Sequence, residues 1–405
     1  MENPKIRFKG YTKDWEQRKL GDMGSTFTGL SGKTKEDFGH GDAQFITYMN
    51  VFSNPVANIE MTEAVEIDAK QNRVKKGDVF FTTSSETPEE VGMSCVMPEN
   101  KDNIYLNSFC FGYRPTEKFD LDYLAYVLRA DSFRKEMKFL AQGISRYNIS
   151  KNKVMEVSIP IPNLEEQTMV GRYFSTLDHL ITLHQRKCEQ TKKLKKYMLQ
   201  KMFPQNGAKV PEIRFDGFTY DWEQRKLSEL LEKYEDPVET PHDGYERVGI
   251  RSHAKGTFHS FVEPGKELDT AKMYRVAADK FILNITFAWE HAVAITDNND
   301  AGKLVSHRFP QFSFNPKLKP HFFKYLMLDK KFREHLELSS PGGAGRNRVL
   351  KISDMLKYEI KLPSIEEQIK IGEYFDSLDH LITLHQRKCD ELKKMKKYML
   401  QNMFI

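Results

Sequence analysis

Residues 161–203 read IPNLEEQTMVGRYFSTLDHLITLHQRKCEQTKKLKKYMLQKMF, and residues 362–404 read LPSIEEQIKIGEYFDSLDHLITLHQRKCDELKKMKKYMLQNMF. The two stretches are identical at 29 of 43 positions, and the run from Leu177 to Cys188 recurs unchanged as Leu378 to Cys389. Such a near-copy within one chain indicates an internal repeat, and a repeat of this length determines how the rest of the chain is interpreted.

A second, shorter repeat opens each half of the chain. Residues 4–20, PKIRFKGYTKDWEQRKL, match residues 211–227, PEIRFDGFTYDWEQRKL, at 13 of 17 positions. The stretches between the repeats, 21–160 and 228–361, differ in sequence. The chain is therefore predicted to contain two copies of one unit, with similar frames around divergent centres. The predicted segments are two globular domains at 1–160 and 211–361, two long helices at 161–203 and 362–405, and a linker at 204–210.

Each copy of the longer repeat predicts one helix. Asn163 and Ser364 are suitable N-caps, and Glu166 and Glu367 follow them at the spacing of a capping box. Apolar residues then recur at intervals of three and four, which produces a stripe that requires a partner helix. A helix of roughly 40 residues is about 60 Å long, too long to be covered by its own globular domain. We therefore expect the two helices to pack on each other.

The two helices are expected to pair antiparallel, because a twofold arrangement is the usual way for two like units to form a closed pair. The midpoint of the first helix lies near His184, so that residue and Cys188 are expected to meet their own copies. The predicted contact residues are Leu177, Ile181, His184 and Cys188, with their copies Leu378, Ile382, His385 and Cys389.

The divergent centres predict mixed structure, so the expected fold class is α+β or α/β with an internal pseudo-twofold repeat. Short apolar runs bounded by Gly, Asn or Lys predict strands at Phe45–Met49, Asp78–Thr82 and Lys280–Asn284. Amphipathic patterns predict one helix over residues 122–138 and another over residues 321–337. A Gly-containing loop follows each of these two helices.

The composition and motifs exclude the common forms of DNA chemistry. The chain has 62 Lys and Arg against 57 Asp and Glu, a net charge of +5 that only weakly favours a nucleic-acid partner. The tail of a phosphate-binding loop at Gly32-Lys33-Thr34 lacks its first glycine, since Phe27 stands there. The sequence also lacks the Asn/Asp-Pro-Pro-aromatic loop with which amino-methyltransferases hold a flipped base. We therefore expect no catalytic centre.

The sequence predicts no metal, disulfide or membrane attachment. The four cysteines form no C-x-x-C pair, which favours reduced thiols over a zinc site. No stretch approaches the roughly 18 apolar residues of a membrane span, and the N-terminus opens no signal peptide. A cytoplasmic protein is expected.

Polar loops that leave strand-like runs, together with the Gly-containing loops, are the candidates for DNA contact. Base edges are read by Arg, Lys, Asn, Gln and short hydroxyl or acidic side chains, and phosphates bind any basic or amide donor. The alternative for each candidate is an ordinary solvated loop, or a core position for a tryptophan. The candidates are Thr83, Ser84, Ser85, Glu86, Ser145, Arg146 and Tyr147 in the first centre, and Trp289, His291, His307, Arg308, Arg346, Asn347 and Arg348 in the second.

Two divergent domains, each followed by a near-duplicate helix, resemble the specificity subunit of type I restriction–modification systems, in particular its staphylococcal-type members. The resemblance is carried by the helix starts Pro162–Gln167 and Pro363–Gln368 and by the opening pairs Trp15-Glu16 and Trp222-Glu223. It covers the whole chain. It implies that each domain is a target-recognition domain that reads one half of a split, asymmetric DNA site, and that the paired helices act as a ruler for the gap.

The resemblance also implies partners. Two modification subunits would hold S-adenosylmethionine and methylate adenine, and two restriction subunits would use ATP and Mg²⁺, while this chain would bind double-stranded DNA and hold no cofactor. The specificity subunit of a related type II-like system is one alternative. A coiled-coil scaffold that does not contact DNA is another, although scaffolding does not require the two centres to differ.

Overall fold

A computed structural model describes residues 3–205, 207–267, 272–342 and 348–405. The chain folds into two compact units. Unit 1 comprises residues 1–186 and 386–405, and unit 2 comprises residues 187–385. Each of the two long helices therefore contributes its first part to one unit and its last part to the other.

Unit 1 combines short strands with short helices that precede the first long helix. The strands are β1 (Glu16–Lys19), β2 (Gly24–Thr28), β3 (Phe38–Ile46), β4 (Thr62–Val65), β5 (Val79–Thr82), β6 (Ser84–Ser85), β7 (Ser94–Val96), β8 (Ile104–Leu106), β9 (Cys110–Pro115), β10 (Tyr147–Asn148) and β11 (Ser158–Ile161). The helices are α1 (Tyr48–Ser53), α2 (Leu121–Val127), α3 (Asp131–Leu140), α4 (Lys151–Met155) and the long α5 (Leu164–Lys201).

The strands of unit 1 form two main sheets. One is antiparallel with the order β2-β9-β5-β7, and the other has the order β4-β3-β8, in which β3 and β8 are parallel. The frame strands β1 and β11 pair separately, as do β6 and β10. Strand β5 is buried along its whole length, in agreement with the apolar run Val79-Phe80-Phe81.

Unit 2 repeats this composition. The strands are β12 (Glu223–Lys226), β13 (Leu231–Tyr234), β14 (Pro237–Val238), β15 (Tyr245–Ile250), β16 (Thr257–Val262), β17 (Met273–Arg275), β18 (Phe281–Leu283), β19 (Val293–Ile295), β20 (Leu304–Ser306), β21 (Gln311–Phe314) and β22 (Glu359–Leu362). The helices are α6 (Pro320–Leu326), α7 (Lys330–Leu338), α8 (Ile352–Met355) and the long α9 (Ile365–Asn402).

The main antiparallel sheet and the frame pair of unit 2 match those of unit 1, whereas the mixed sheet has five strands in unit 2 and three in unit 1. The antiparallel sheet β13-β21-β18-β19 corresponds to β2-β9-β5-β7, and β12 pairs with β22 as β1 pairs with β11. In the mixed sheet β14-β17-β20-β15-β16, strands β15 and β20 are parallel, like β3 and β8. The predicted fold class and internal repeat are confirmed, although the two centres share little sequence.

Ion pairs within each unit show that the long helices run antiparallel. In unit 1, the Lys396 Nζ atom near the end of α9 lies 2.6 Å from an Asp178 carboxylate oxygen in the first half of α5. In unit 2, the equivalent pair joins Lys195 of α5 to Asp379 of α9 at 2.5 Å. Because each pair is the repeat copy of the other, both halves of the helix pair use the same register.

Most of the predicted helix-contact residues are buried, whereas the expected contacts of His184 and Cys188 with their own copies remain predictions. Cys188 Sγ lies 3.8 Å from the Ile382 carbonyl oxygen within unit 2. The proposed pairs His184 with His385 and Cys188 with Cys389 would each join the two units. Leu177, Ile181, Leu378, Cys188 and Cys389 are all buried, and Ile382 is half-buried.

The predicted N-caps of the long helices form. Asn163 Oδ1 accepts a hydrogen bond from the Glu166 backbone N–H at 2.9 Å, and Ser364 Oγ accepts one from the Glu367 N–H at 3.3 Å. In a capping box each glutamate carboxylate would accept a hydrogen bond from the backbone N–H of the N-cap residue. Here the carboxylates have a different partner. Each is 1% exposed and is held by an arginine of the repeated opening segment.

The opening segment of each unit joins the start of one long helix to the end of the other. Arg7 donates from Nε and Nη2 to Glu166 at 2.6 and 2.8 Å, and the Ile6 N–H donates to the Asn402 carbonyl at 2.9 Å. In unit 2 the same bonds join Arg214 to Glu367 at 2.7 and 2.8 Å, and Ile213 to Lys201 at 3.0 Å. The sequence repeat shows that this segment recurs, but it does not show what the segment contacts.

One predicted strand is shorter than expected. The run Phe45–Met49 was expected to be extended throughout, but β3 ends at Ile46. Thr47 instead caps α1, because its side chain accepts a hydrogen bond from the Asn50 N–H at 3.2 Å. The predictions at 78–82 and 280–284 agree with β5 and β18 to within one residue at each end.

The helix predicted over residues 122–138 is two helices, α2 and α3, and the one over 321–337 is likewise divided into α6 and α7. Residues 123–127 of α2 are all buried, whereas α3 buries only Phe133 and Met137, so one straight helix could not satisfy both environments. Arg129 holds the turn between them by donating to backbone carbonyls, including Ser94 at 2.7 Å. Burial lowers the pKa of Arg129 to about 10.

Candidate nucleic-acid interface

Three backbone segments meet at one edge of unit 1, around Thr83. The Thr83 N–H donates to the Phe109 carbonyl at 3.0 Å, and the Ile149 N–H donates to the Thr83 carbonyl at 3.0 Å. The segments that follow β5, precede β9 and precede α4 therefore lie side by side. Pairing of β6 with β10 extends this contact. The two polar loops predicted from sequence, 83–86 and 145–147, thus form one surface.

The side chains of this surface form an open cleft of about 700 Å³. Arg146 donates from Nη2 and Nε to Ser84 Oγ at 3.1 and 3.3 Å, and within the described part of the chain no carboxylate pairs with it. The Ser85 hydroxyl donates to Glu90 at 3.3 Å. The cleft is lined by Tyr48, Met49, Phe52, Ser84, Ser85, Glu86, Glu90, Ser145 and Arg146. This mixture of guanidinium, carboxylate and hydroxyl groups is the one that reads base edges.

Unit 2 contains the same three-segment cluster with different side chains. The Ile285 N–H donates to the Arg308 carbonyl at 3.0 Å, and the Leu350 N–H donates to the Ile285 carbonyl at 2.9 Å. Ile285 therefore occupies the place of Thr83. The guanidinium carbon of Arg348 lies 5.3 Å from the centre of the Trp289 ring, a cation–π contact at this cluster.

His291 was predicted to contact DNA, but the structure places it in the interior of unit 2. It is 5% exposed, and its Nε2 atom lies 2.9 Å from the Met327 carbonyl oxygen. Burial lowers its pKa, which favours the neutral imidazole. The side chain packs in the interior of unit 2, so we remove it from the candidate DNA surface. Arg346 and Asn347 were also predicted, but they lie outside the described residues.

The other predicted residues differ in accessibility. Ser84 and Ser85 are buried at the base of the cleft, so only groups that enter it can reach them. The exposed candidates are Glu86, Ser145, Arg146, His307 and Arg308, and those of intermediate exposure are Thr83, Tyr147, Trp289 and Arg348.

Sequence reasoning missed several residues of this surface. Tyr48 and Phe52 of α1 line the cleft of unit 1, and the Tyr48 hydroxyl donates to the Ser84 carbonyl at 2.7 Å. Phe109 is 57% exposed beside Thr83. These aromatic residues lie outside the polar and Gly-containing loops from which the candidates were predicted. The available signal for Phe109 was its position after Asn107-Ser108, a turn-forming pair between two apolar runs.

Across residues 3–205, 207–267, 272–342 and 348–405, no three His, Cys, Asp or Glu side chains are arranged to hold a metal ion. Over the same ranges, no helix combines the length and the apolar character needed to cross a bilayer.

Both clusters lie inside stretches that match one protein family. Residues 12–193 and 220–394 each match the sequence profile described as the type I restriction modification DNA specificity domain. The chain belongs to this family. Each specificity-domain match contains one complete three-segment cluster, so the repeated architecture and the family assignment coincide.

Individual relatives support the assignment to the specificity-domain family. The chain is 27% identical, over 412 residues, to a putative type I restriction enzyme MjaX specificity subunit of Methanocaldococcus jannaschii, covering 96% of this chain and 92% of that protein. It is 25% identical over 296 residues to the MjaVIII specificity subunit of the same organism, covering 69% and 68%. A crystal structure of a type I restriction–modification S subunit from M. genitalium has the same fold, with a TM-score of 0.61, 14% identity and coverage of 100% and 99%.

Proposed function

We propose that this chain is the DNA-reading subunit of a type I restriction–modification complex, and that each unit reads one half of a bipartite, asymmetric DNA site. One observation carries this proposal. The two units share frames, the main antiparallel sheet and the backbone bonds of the three-segment cluster, yet the side chains presented at the cluster differ. A repeated scaffold with different surface chemistry is what two distinct half-sites require.

The chemistry of the two clusters supports an asymmetric site. Unit 1 presents Arg146 with serine hydroxyls and Glu86, whereas unit 2 presents Arg308, Arg348 and Trp289. Arginine pairs best with guanine, and carboxylates accept from the cytosine amino group. The two units are therefore expected to prefer different bases.

The long helices are proposed to set the unread gap between the half-sites. Each is continuous over 38 residues and takes part in both units. At 1.5 Å per residue each helix is about 57 Å long. The pairs Lys396–Asp178 and Lys195–Asp379 fix the register of the two helices within each unit.

Catalysis is proposed to reside in partner subunits. In this proposal two modification subunits hold S-adenosylmethionine and methylate adenine, and two restriction subunits use ATP and Mg²⁺, while this chain supplies recognition of double-stranded DNA in the cytoplasm. The matched relatives are named as specificity subunits, which supports this division of labour.

The test is to express the chain with the modification subunit of its own system in a host without adenine methylation, and to sequence the methylome. The expected result is a single motif of two short halves separated by a fixed number of unspecified base pairs. The chain expressed alone should give no methylation. Gel shifts with and without the modification subunit would measure binding directly.

The possible outcomes separate the alternatives. A motif with only one half would contradict the assignment of one half-site to each unit. Absence of both methylation and DNA binding in the co-expressed complex would favour a scaffold. ATP-independent cleavage by the assembled complex would favour a type II-like system.

A further inference from the structure

The same four-residue turn occurs in both clusters. It connects β8 to β9 in unit 1 and β20 to β21 in unit 2. In unit 1 the Cys110 N–H donates to the Asn107 carbonyl at 3.1 Å, and in unit 2 the Phe309 N–H donates to the Ser306 carbonyl at 2.9 Å. The two middle positions are Ser108-Phe109 in one unit and His307-Arg308 in the other, and all four residues are exposed.

The third residue of this turn is anchored to the rest of the cluster. The Phe109 carbonyl accepts from the Thr83 N–H at 3.0 Å and from the Thr83 hydroxyl at 2.8 Å. The Arg308 carbonyl accepts from the Ile285 N–H at 3.0 Å. Phe109 and Arg308 therefore stand at the same position of the repeated backbone.

Neither side chain is explained by packing within its unit. Phe109 is 57% exposed on an anchored turn, where a small polar residue would avoid the cost of exposing apolar surface. Arg308 is exposed and forms no ion pair with any acidic residue in the described ranges. In contrast, Arg348 of the same cluster lies 3.6 Å from a Glu337 carboxylate oxygen. Each anchored turn therefore presents one exposed side chain, Phe109 or Arg308, that packing does not explain. Such a side chain is suited to contact an external ligand.

We propose that this turn is a base-reading position in both units. Arg308 recognises guanine through O6 and N7 in the half-site of unit 2, since a guanidinium matches that pair of acceptors. Phe109 contacts the thymine methyl group of an A·T pair in the half-site of unit 1, since apolar side chains recognise that group. This inference rests on the proposed function and adds to it a predicted base class at one position of each half-site.

The test exchanges the two turns within the full complex. The variant Ser108→His/Phe109→Arg places the unit 2 turn in unit 1, and His307→Ser/Arg308→Phe does the reverse. The methylated motif of each complex is sequenced, and binding is measured on duplexes that vary one base pair at a time. We expect the first variant to replace an A·T requirement with G·C at one position of one half-site, and the second to relax one guanine. The preference for the original base pair should fall roughly 5- to 150-fold in each case.

Matched substitutions control for changes in charge and apolar surface. Phe139→Arg and Arg333→Phe make the same exchanges at exposed positions of α3 and α7, outside the two turns. They should leave the motif unchanged. Thermal unfolding of every variant separates altered recognition from altered folding. If a variant assembles poorly, sequencing the motif methylated by the complex that does form still reports its specificity.

Three results would overturn the inference while the proposed function stands. The first is a wild-type bipartite motif that neither turn exchange alters. The second is a uniform loss of affinity for all sequences with a shallower salt dependence, which would indicate that Arg308 contacts a phosphate. The third is a change in the expected half-site at a base pair of the wrong class, G·C for the Phe109 exchange or A·T for the Arg308 exchange. A change confined to the half-site read by the other unit would instead count against the assignment of one half-site to each unit. Failure of the wild-type complex to methylate any bipartite site would instead count against the proposed function.

Discussion

Individual buried groups show how similar the two units are and where they differ. Trp15 and Trp222 occupy the same position of the repeated frame and are 2% and 4% exposed. The Trp15 Nε1–H donates to Glu166 at 3.2 Å, whereas the Trp222 Nε1–H has no hydrogen-bond partner among the atoms that the structure describes. An unsatisfied buried donor costs about 1–3 kcal/mol, so the same residue contributes differently to the stability of the two units.

Replacing each tryptophan with phenylalanine tests this difference. Both substitutions remove similar apolar surface, but only Trp15→Phe removes a hydrogen bond to a buried carboxylate. We expect Trp15→Phe to lower the free energy of unfolding by about 1–3 kcal/mol more than Trp222→Phe. Hydrogen exchange of the core amides in each unit would measure the two effects separately. Equal losses would show that the Trp15 bond contributes nothing net.

Arg146 is predicted to act at one half-site. Its guanidinium bonds only to Ser84 in the described structure, so Arg146→Ala leaves no buried charge unpaired and should not unfold unit 1. A lost bidentate base contact would reduce discrimination at one base pair by about 1–3 kcal/mol. Competition binding with single-base variants of each half-site measures this. Equal weakening on all sequences would mean that Arg146 binds phosphate, and an effect at the other half-site would contradict the assignment.

The sequence predicted the exposure of the candidate arginines, but not the environments of His291 and Phe109. Arg146 and Arg308 are exposed as expected, because charged residues in loops seldom find enough partners to be buried. His291 is buried because a carbonyl far along the chain, that of Met327, lies within reach of its ring. Phe109 is exposed because hydrogen bonds from Thr83, in a separate segment of unit 1, hold the turn that carries it. Contacts of this kind depend on tertiary structure and leave no local pattern.

At the scale of elements, a partly buried ion pair joins the two long helices within each unit. Lys396 and Asp178 are 22% and 29% exposed, and the Tyr126 hydroxyl also donates to Asp178 at 2.8 Å. Lys195 and Asp379 repeat the arrangement with Tyr325. Such pairs contribute more to pairing geometry than isolated surface pairs, because several groups converge on one carboxylate.

The variant Lys396→Met removes the charge but keeps most of the aliphatic stem. We expect it to destabilise unit 1 by about 1–2 kcal/mol, because among the described residues Asp178 would then keep only its hydrogen bond from Tyr126. Lys195→Met should have a similar effect on unit 2, whereas Lys397→Met, at an exposed neighbouring position, should have none. Denaturant titration measures all three. A loss for Lys397→Met as large as that for Lys396→Met would mean that general charge, and not this pair, stabilises the helices.

The long helices were predictable because cap, stripe and length agree over 38 residues. The short elements were less predictable from the sequence. The break between α2 and α3 depends on Arg129 reaching backbone carbonyls of a distant segment, and the end of β3 depends on one threonine side chain. Both depend on side-chain hydrogen bonds to the backbone, which hydrophobic periodicity does not reveal.

At the scale of the molecule, the repeated frame makes each centre exchangeable. Residues 21–160 begin just after β1, the strand of the opening frame, and end within β11, which pairs with it. Replacing them with the equivalent segment of another family member should change one half-site and leave the other half and the gap unchanged. Methylome sequencing of the complex tests this. A change in both halves would show that the two units do not read DNA independently.

Unit 1 is built from two separated parts of the chain, so the direction of synthesis affects when this unit can fold. Its α5 stripe and its Ile6 amide are completed only by residues 386–405, which leave the ribosome after all of unit 2. Unit 2 is contiguous in sequence and can finish folding while the chain is still growing. The N-terminal unit is therefore expected to be the later one to mature, and nascent chains paused before residue 386 should expose apolar helix surface that attracts chaperones.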